Sequence, residues 1–481
     1  MRASVQKVEK KDFSWLIILL LIVLPVILEF IIGEKLFNAS HESIISAQKF
    51  MYNSFGLKSY EYKEIMIEDK NNVINETSNI NIFVSFLEEN DEKKGSTKDI
   101  LTSEIIHFIN SNGFYLIICA ILCNFINIYK IFILSMSIFS SNYVCSTLSY
   151  IYQSPKPYMA FYKIKSAVIF NEWGSPNTQI VVLISFSLCL YQALTKNKVM
   201  EKKLWAKIVL IVLLVIYCFL DIFLLFASGN CTYNHIIISV FMAISIFLIF
   251  FYRLKIDLNK SKQLYDFIKF KMLYYLVINA LLFAFQILLC IFIIDERDTT
   301  FYREHGLEQI SLMPKNDFSE KYLKYRNKFF LNNGNLCNCF CFLMNIVAFL
   351  SLKIDLRFIY QNNYNSWSEG NFEKPKLESI NINVENSTLV EYSGIEQSQW
   401  NHYGAVKGLI RFIILIVLTF GIYGLLIWIS TWSDNEVFAL IFSIIIPMAL
   451  LVSSSFYTFK ALFTKIKLAR LHKIKSKKLA Y

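Results

Sequence analysis

Charge is what this chain is short of. Only 18% of its 481 residues are Asp, Glu, Lys or Arg, against about a quarter in an ordinary soluble domain. Hydrophobic residues make up 55%, with 43 Phe among them, and the mean hydropathy is +0.44. Apolar runs of about 20 residues, long enough to cross a bilayer as helices, recur along the whole length. This is the pattern of a polytopic, all-α membrane protein.

Other absences narrow the reading. No disulfide framework shows: seven of the ten Cys lie in or beside apolar runs, where a thiol acts as a small hydrophobe. Cys337, Cys339 and Cys341 alternate at the start of a span with no His nearby, which fits packing or palmitoylation better than a metal site. No Ala-x-Ala-type site follows the first apolar run, and the run is too long for a cleaved signal, so it reads as a retained signal anchor. No internal repeat is visible, which counts against transporter folds built from inverted halves. The net charge of +11 does not point to nucleic acid. Its Lys and Arg collect at the two ends and in short loops such as "TKNKVMEKKLWAK" and "YRLKIDLNKSK", as expected of cytosolic segments flanking membrane spans.

The runs predict ten spans, near 14–32, 113–131, 132–152, 179–195, 206–227, 235–253, 273–294, 336–353, 408–430 and 436–458. The second and third form one apolar stretch, predicted to fold back near Asn127–Lys130. A basic N-terminus inside places 33–112 outside as an external loop. Residues 113–255 then form a six-span core together with the first span, and 256–481 a four-span extension with a cytosolic loop at 354–407 and a basic tail. The sequons at Asn38 and Asn75 fall outside, those at Asn259 and Asn386 inside. Trp400, Trp428 and Trp432 read as interface anchors.

Proline is scarce, and its placement is informative. Of seven in the chain, Pro155, Pro157 and Pro176 fall in two short polar stations on the predicted external face, "YIYQSPKPYM" and "NEWGSPNTQ". Proline fixes φ and ends helices, so these read as ordered turns. A third station, "FASGNCTYNHIIIS", lies on the same face. A span starting just after the second station would aim its positive helix end at it, which suits an anion.

The order and spacing of the three stations resemble the type 2 phosphatidic acid phosphatase superfamily, which includes glucose-6-phosphatase and the vanadium haloperoxidases. Its motifs are K-x6-R-P, P-S-G-H (often after Glu-aromatic-Gly) and S-R-x5-H-x3-D. Here Lys156-Pro157 stands at the Arg-Pro of the first motif and Ser149 at its Lys. "EWGSPNTQ" matches the lead-in and Pro of the second, with Asn177, Thr178 and Gln179 at its Ser, Gly and His. In the third, Ser228 and His235 match, while Gly229 and Ser239 replace Arg and Asp. The resemblance covers about residues 113–255.

It implies a phosphate site needing no metal or other cofactor, with His235 as nucleophile on phosphorus, Gln179 at the general-acid position and Ser239 at that of the orienting carboxylate. Lys156, Asn177, Thr178, Ser228, Gly229 and Ser149 stand at phosphate-binding positions. The replacements remove the chemistry. Glutamine cannot donate the proton, a role worth about 10²–10⁴ in rate. Loss of the orienting Asp of a triad costs about 10⁴. Two of three phosphate clamps are missing. Lys163 and Lys165 are candidates to restore positive charge, and the intramembrane Asp221 is a candidate functional carboxylate.

The expectation is therefore a catalytically degenerate lipid-phosphate-phosphatase-like membrane protein, binding a phosphorylated lipid or phosphate headgroup or acting as a scaffold. An active phosphomonoester hydrolase is the alternative within the same frame. Outside it stand a transporter using Glu29 and Asp221 at mid-membrane, and a structural subunit docking partners through its last four spans. The membrane expected for an uncleaved anchor is the endoplasmic reticulum or another secretory membrane, with a mitochondrial membrane as the alternative.

Overall fold

A computed structural model describes residues 14–57, most of 102–122, 128–164 with short gaps, 173–195, 204–249 and 405–430, with isolated positions in 277–288 and 446–466. The described residues are all-helical and contain no strand. The helices are α1 (Ser14–Phe55), α2 (Asn112–Leu122), α3 (Ile128–Tyr152), α4 (Pro157–Ala160), α5 (Thr178–Thr195), α6 (Leu204–Ala227), α7 (Tyr233–Leu248) and α8 (Ala405–Ser430).

Two of them, α5 and α6, are long and apolar enough to cross a membrane. Tyr233–Leu248 and Leu409–Ile422 are shorter apolar segments. Apart from the four-residue α4, the described helices start within a few residues of predicted spans, and α3 begins at Ile128, at the predicted fold-back. The spans predicted at 273–294, 336–353 and 436–458 lie outside the described residues apart from isolated positions, as do Lys163, Lys165, Glu172 and the Cys337–Cys341 group.

α1 departs from expectation. The helix does not stop with the apolar run at residue 32 but runs on to Phe55, into the segment read as an external loop, 42 residues in all, or about 63 Å at 1.5 Å per residue. The reason is a second pattern beneath the first. Beyond the apolar run, Gly33, Ser40, Ile44, Gln48 and Met51 recur near the helical period and are all buried, making an amphipathic stripe with no helix breaker to interrupt it. The stripe packs α1 along α7 and α6. Asn38 is exposed there, but the Ser40 of its sequon is fully buried.

Two apolar clusters hold the bundle. One joins Ile44 and Met51 of α1 to Tyr158 and Met159 of α4, Ile180 of α5, and Leu225, Phe226 and Cys231 at and after the end of α6. The other joins Cys145 of α3, Val181 of α5, and Ile238, Met242 and Ile246 of α7. Polar pins supplement them. The Ser141 and Ser185 hydroxyls are 2.7 Å apart. Asn112 and Asn142 exchange amide hydrogen bonds of 3.0 and 2.9 Å. The Lys130 ammonium donates to the Ala193 carbonyl near the end of α5 at 2.9 Å, a basic group on a helix C-terminus. Interhelical bonds of this kind in a membrane average about 0.6 kcal/mol each.

Candidate functional site

The three stations, dispersed in sequence, are stitched together by backbone and side-chain bonds. The Gly174 amide donates to the Ser154 carbonyl at 2.8 Å, tying the second station to the first. The Tyr158 amide donates to the Gly229 carbonyl at 3.4 Å, tying the first to the third. The Asn177 side-chain amide donates to the Asn230 carbonyl at 3.2 Å, and the Asn177 backbone amide to the Ser239 hydroxyl at 2.8 Å, tying the second to the third.

Each turn has a local cause. Asn177 is the N-cap of α5, its Oδ1 accepting the Ile180 amide at 3.2 Å, a cap worth about 1 kcal/mol. At the end of α6 the Asn230 amide bonds the Leu225 carbonyl and the Gly229 amide bonds the Phe226 carbonyl, both at 3.0 Å. Gly229 sits at φ +71° between them. This is a Schellman ending, and it requires a residue that tolerates the left-handed region. The glycine at the position expected of a phosphate-binding Arg thus has a backbone task of its own. In the second station the Ser175–Pro176 peptide is cis.

His235 is fully buried in the first turn of α7. Its Nε2 lies 2.9 Å from the Ser154 hydroxyl, and its Nδ1 has no partner. The Gly174 backbone approaches the ring closely: a Cβ there would stand 2.2 Å from Cε1 and 2.7 Å from Nδ1. On another side the Phe37 ring of α1 lies 6.0 Å from the imidazole, centroid to centroid, and stacks at 5.1 Å on Phe161. Ser239 does not orient this imidazole. Its hydroxyl donates to the His235 backbone carbonyl at 2.6 Å and accepts the Asn177 amide, so it braces α7 against the start of α5.

Lys156 is wholly buried, in extended backbone just before Pro157. Its charge is felt at His235 and at Cys231. Burial pushes the Cys231 thiol up, and the Lys156 charge pulls it part of the way back. The remaining candidates divide. Ser228 donates to the Leu225 carbonyl at 2.9 Å and accepts from the Asn230 amide at 2.8 Å, inside the helix stop. Ser149 turns back on its own helix, donating to the Ser146 carbonyl at 2.9 Å. Thr178 and Gln179, in the first turn of α5, are buried, and their Oγ1 and Oε1 atoms lack partners. Ser175 Oγ shares that condition.

Four buried polar atoms of the second and third stations are therefore unsatisfied, each at a cost of about 1–3 kcal/mol if left so. They lie in the stations that carry a neutral-capable imidazole, near a buried ammonium and the positive end of an 18-residue helix. Of these, the Ser175 and Thr178 hydroxyls and, in its Nδ1–H tautomer, the His235 ring can donate to an anion, whereas Gln179 Oε1 only accepts. Nothing among the described residues supplies a carboxylate to the His235 ring, and no group of three or more His, Cys, Asp or Glu there is placed to hold a metal.

Sequence reasoning missed Ser154 and Phe37. Ser154 lies in the quoted first station, and a hydroxyl two residues before Lys156 was a signal available to it. Phe37 carries no such signal, because its place follows from the unforeseen length of α1. Comparison with protein-family models, with curated proteins and with solved structures finds no match.

Proposed function

We propose that the chain is a polytopic membrane protein of ten spans, in the endoplasmic reticulum or another secretory membrane, and a catalytically degenerate relative of the lipid phosphate phosphatases. It holds a phosphate or phosphorylated lipid headgroup among Lys156, His235 and the N-terminus of α5, without turning it over. One observation carries this reading. Three stations separate in sequence meet, and Ser175, Thr178 and His235 there present buried, donor-capable atoms that lack partners. The residues at the general-acid and orienting positions, Gln179 and Ser239, support binding over turnover. An amide cannot supply a proton, and this serine is engaged with backbone.

The test uses the purified full chain with a panel of lipid and sugar phosphates. Binding of a lipid phosphate that is weakened by Lys156→Ala, with no phosphate released by the wild type, is the expected result. Release by the wild type that disappears in His235→Ala would make it an enzyme and overturn the degenerate reading. Absence of both binding and release would remove the phosphate site altogether.

A further inference from the structure

The His235 imidazole is held by elements far from its own helix in the chain. The Ser154 hydroxyl meets Nε2 at 2.9 Å. The Gly174 backbone, whose amide donates to the Ser154 carbonyl at 2.8 Å, closes on the Cε1 edge. The Phe37 ring of α1 stands 6.0 Å away, centroid to centroid. The bond between Gly174 and Ser154 ties two of these contacts together, so the first two stations fix where the ring of the third can sit.

What this grip leaves to be decided is the proton. The ring is fully buried and meets a hydroxyl, not a carboxylate, so it stays neutral, because a buried charge without a partner is costly. A neutral imidazole carries one N–H, and the hydrogen bond made by one nitrogen decides what the other carries. Here the deciding partner is Ser154. Its hydroxyl is half-buried and makes no second hydrogen bond among the described residues.

The two directions of that bond have different consequences. If the hydroxyl accepted from Nε2–H, the protein would leave the hydroxyl hydrogen unused. Nδ1 would then be a buried lone pair with nothing donating to it. If the hydroxyl donates to Nε2, its one hydrogen is spent on the ring and Nδ1 carries the N–H. The Ser175 and Thr178 hydroxyls are buried donors without partners in the same stations. An N–H at Nδ1 adds a third, and donors are what an anion requires.

We infer that Ser154 is a positioning residue of this site: by donating to Nε2 it holds His235 in the Nδ1–H tautomer, which offers a hydrogen bond to a phosphate-type anion. The tautomer follows from the geometry around the ring, while the identity of the anion rests on the function proposed above.

Nitrogen NMR of the purified full chain, isotopically labelled at its histidine nitrogens, reads the tautomer directly, because protonated and bare ring nitrogens resonate far apart. The His235 signals are those missing from His235→Gln. The wild type is expected to show a protonated Nδ1 and a bare Nε2. Ser154→Ala is expected to move the ring toward the Nε2–H tautomer. It should also weaken binding of a short-chain phosphatidic acid by about tenfold, as for one lost hydrogen bond to a charged group. Ser154→Thr, which keeps the hydroxyl, should restore both. Inorganic phosphate, run as a second series, separates recognition of the phosphate from recognition of the lipid. A wild-type ring protonated on Nε2 would overturn the proposal without any Ser154 variant. So would a folded Ser154→Ala protein that keeps the Nδ1–H tautomer in full. The expected spectra with no binding of either phosphate compound would defeat the phosphate reading alone, and would keep Ser154 as the residue that sets the tautomer.

Discussion

α5 and α6 are neighbours in sequence and in space, both apolar and both long enough to span a membrane, yet they face opposite surroundings. Of the most apolar 18 residues of α5, 67% are buried inside the protein; for α6 the figure is 11%. The buried helix is the more polar one, carrying Thr178, Gln179, Ser185 and Ser187 inward, while α6 exposes Ile208, Val212, Ile216 and Phe219. A soluble protein has the opposite arrangement. Where the solvent is hydrocarbon, apolarity no longer drives a helix inward, and polar groups that can pair with one another are the ones worth enclosing. The difference separates a helix that builds the site from one whose apolar face is left open, as the proposed membrane reading requires.

Substitutions can break that contrast, and the largest effect belongs on α6. Ile216 is 50% exposed near the middle of the helix. Ile216→Lys should cost about 2.5–3.5 kcal/mol of insertion free energy, read as loss of integration in a glycosylation-reporter insertion assay. A result near zero would show that this face meets water or protein instead. Next is Gly174→Ala at the approach to α5. The added methyl falls within 2.2 Å of the His235 ring, and such overpacking costs about 1–3 kcal/mol. Thermal unfolding measures the loss, and faster modification of His235 by diethyl pyrocarbonate reports the displaced ring. The smallest is Ser185→Ala, which removes the 2.7 Å contact with Ser141 from the buried face of α5. About 0.6 kcal/mol is expected, close to the detection limit of a denaturation curve. A much larger loss would mean that the serine pair does more than join two helices.

The sequence shows the helices well where length and apolarity coincide. The runs at 179–195 and 206–227 are α5 and α6 almost to the residue, because an unbroken apolar run of this length satisfies its own backbone groups only as a helix. α1 was only half visible. Its apolar run ends near residue 32, and the further 23 residues are held by a stripe of five buried positions whose partners lie far along the chain. At the site, the order of the stations was legible, and so were Lys156 and His235 as its charged and titratable members. The tasks of the replacement residues were not. Asn177 as a cap, Gly229 as a helix stop and Ser239 as a brace are roles defined by backbone groups, which a pattern of side chains does not display.

The long first helix also sets a schedule for making the protein. Its polar groups bind late partners: Gln48 donates to the Ala227 carbonyl, Ser40 accepts the Tyr233 amide, and Glu29 accepts both contacts of the Asn234 amide, across 179, 193 and 205 residues. At about 5–20 residues per second, a ribosome needs on the order of 10–40 s to reach Asn234 after Glu29. For that interval α1 has a carboxylate, an amide and a hydroxyl without their final partners. On the membrane reading proposed above, biosynthesis calls for a holding step, in which the first helix waits beside the insertion machinery until α7 arrives to receive it.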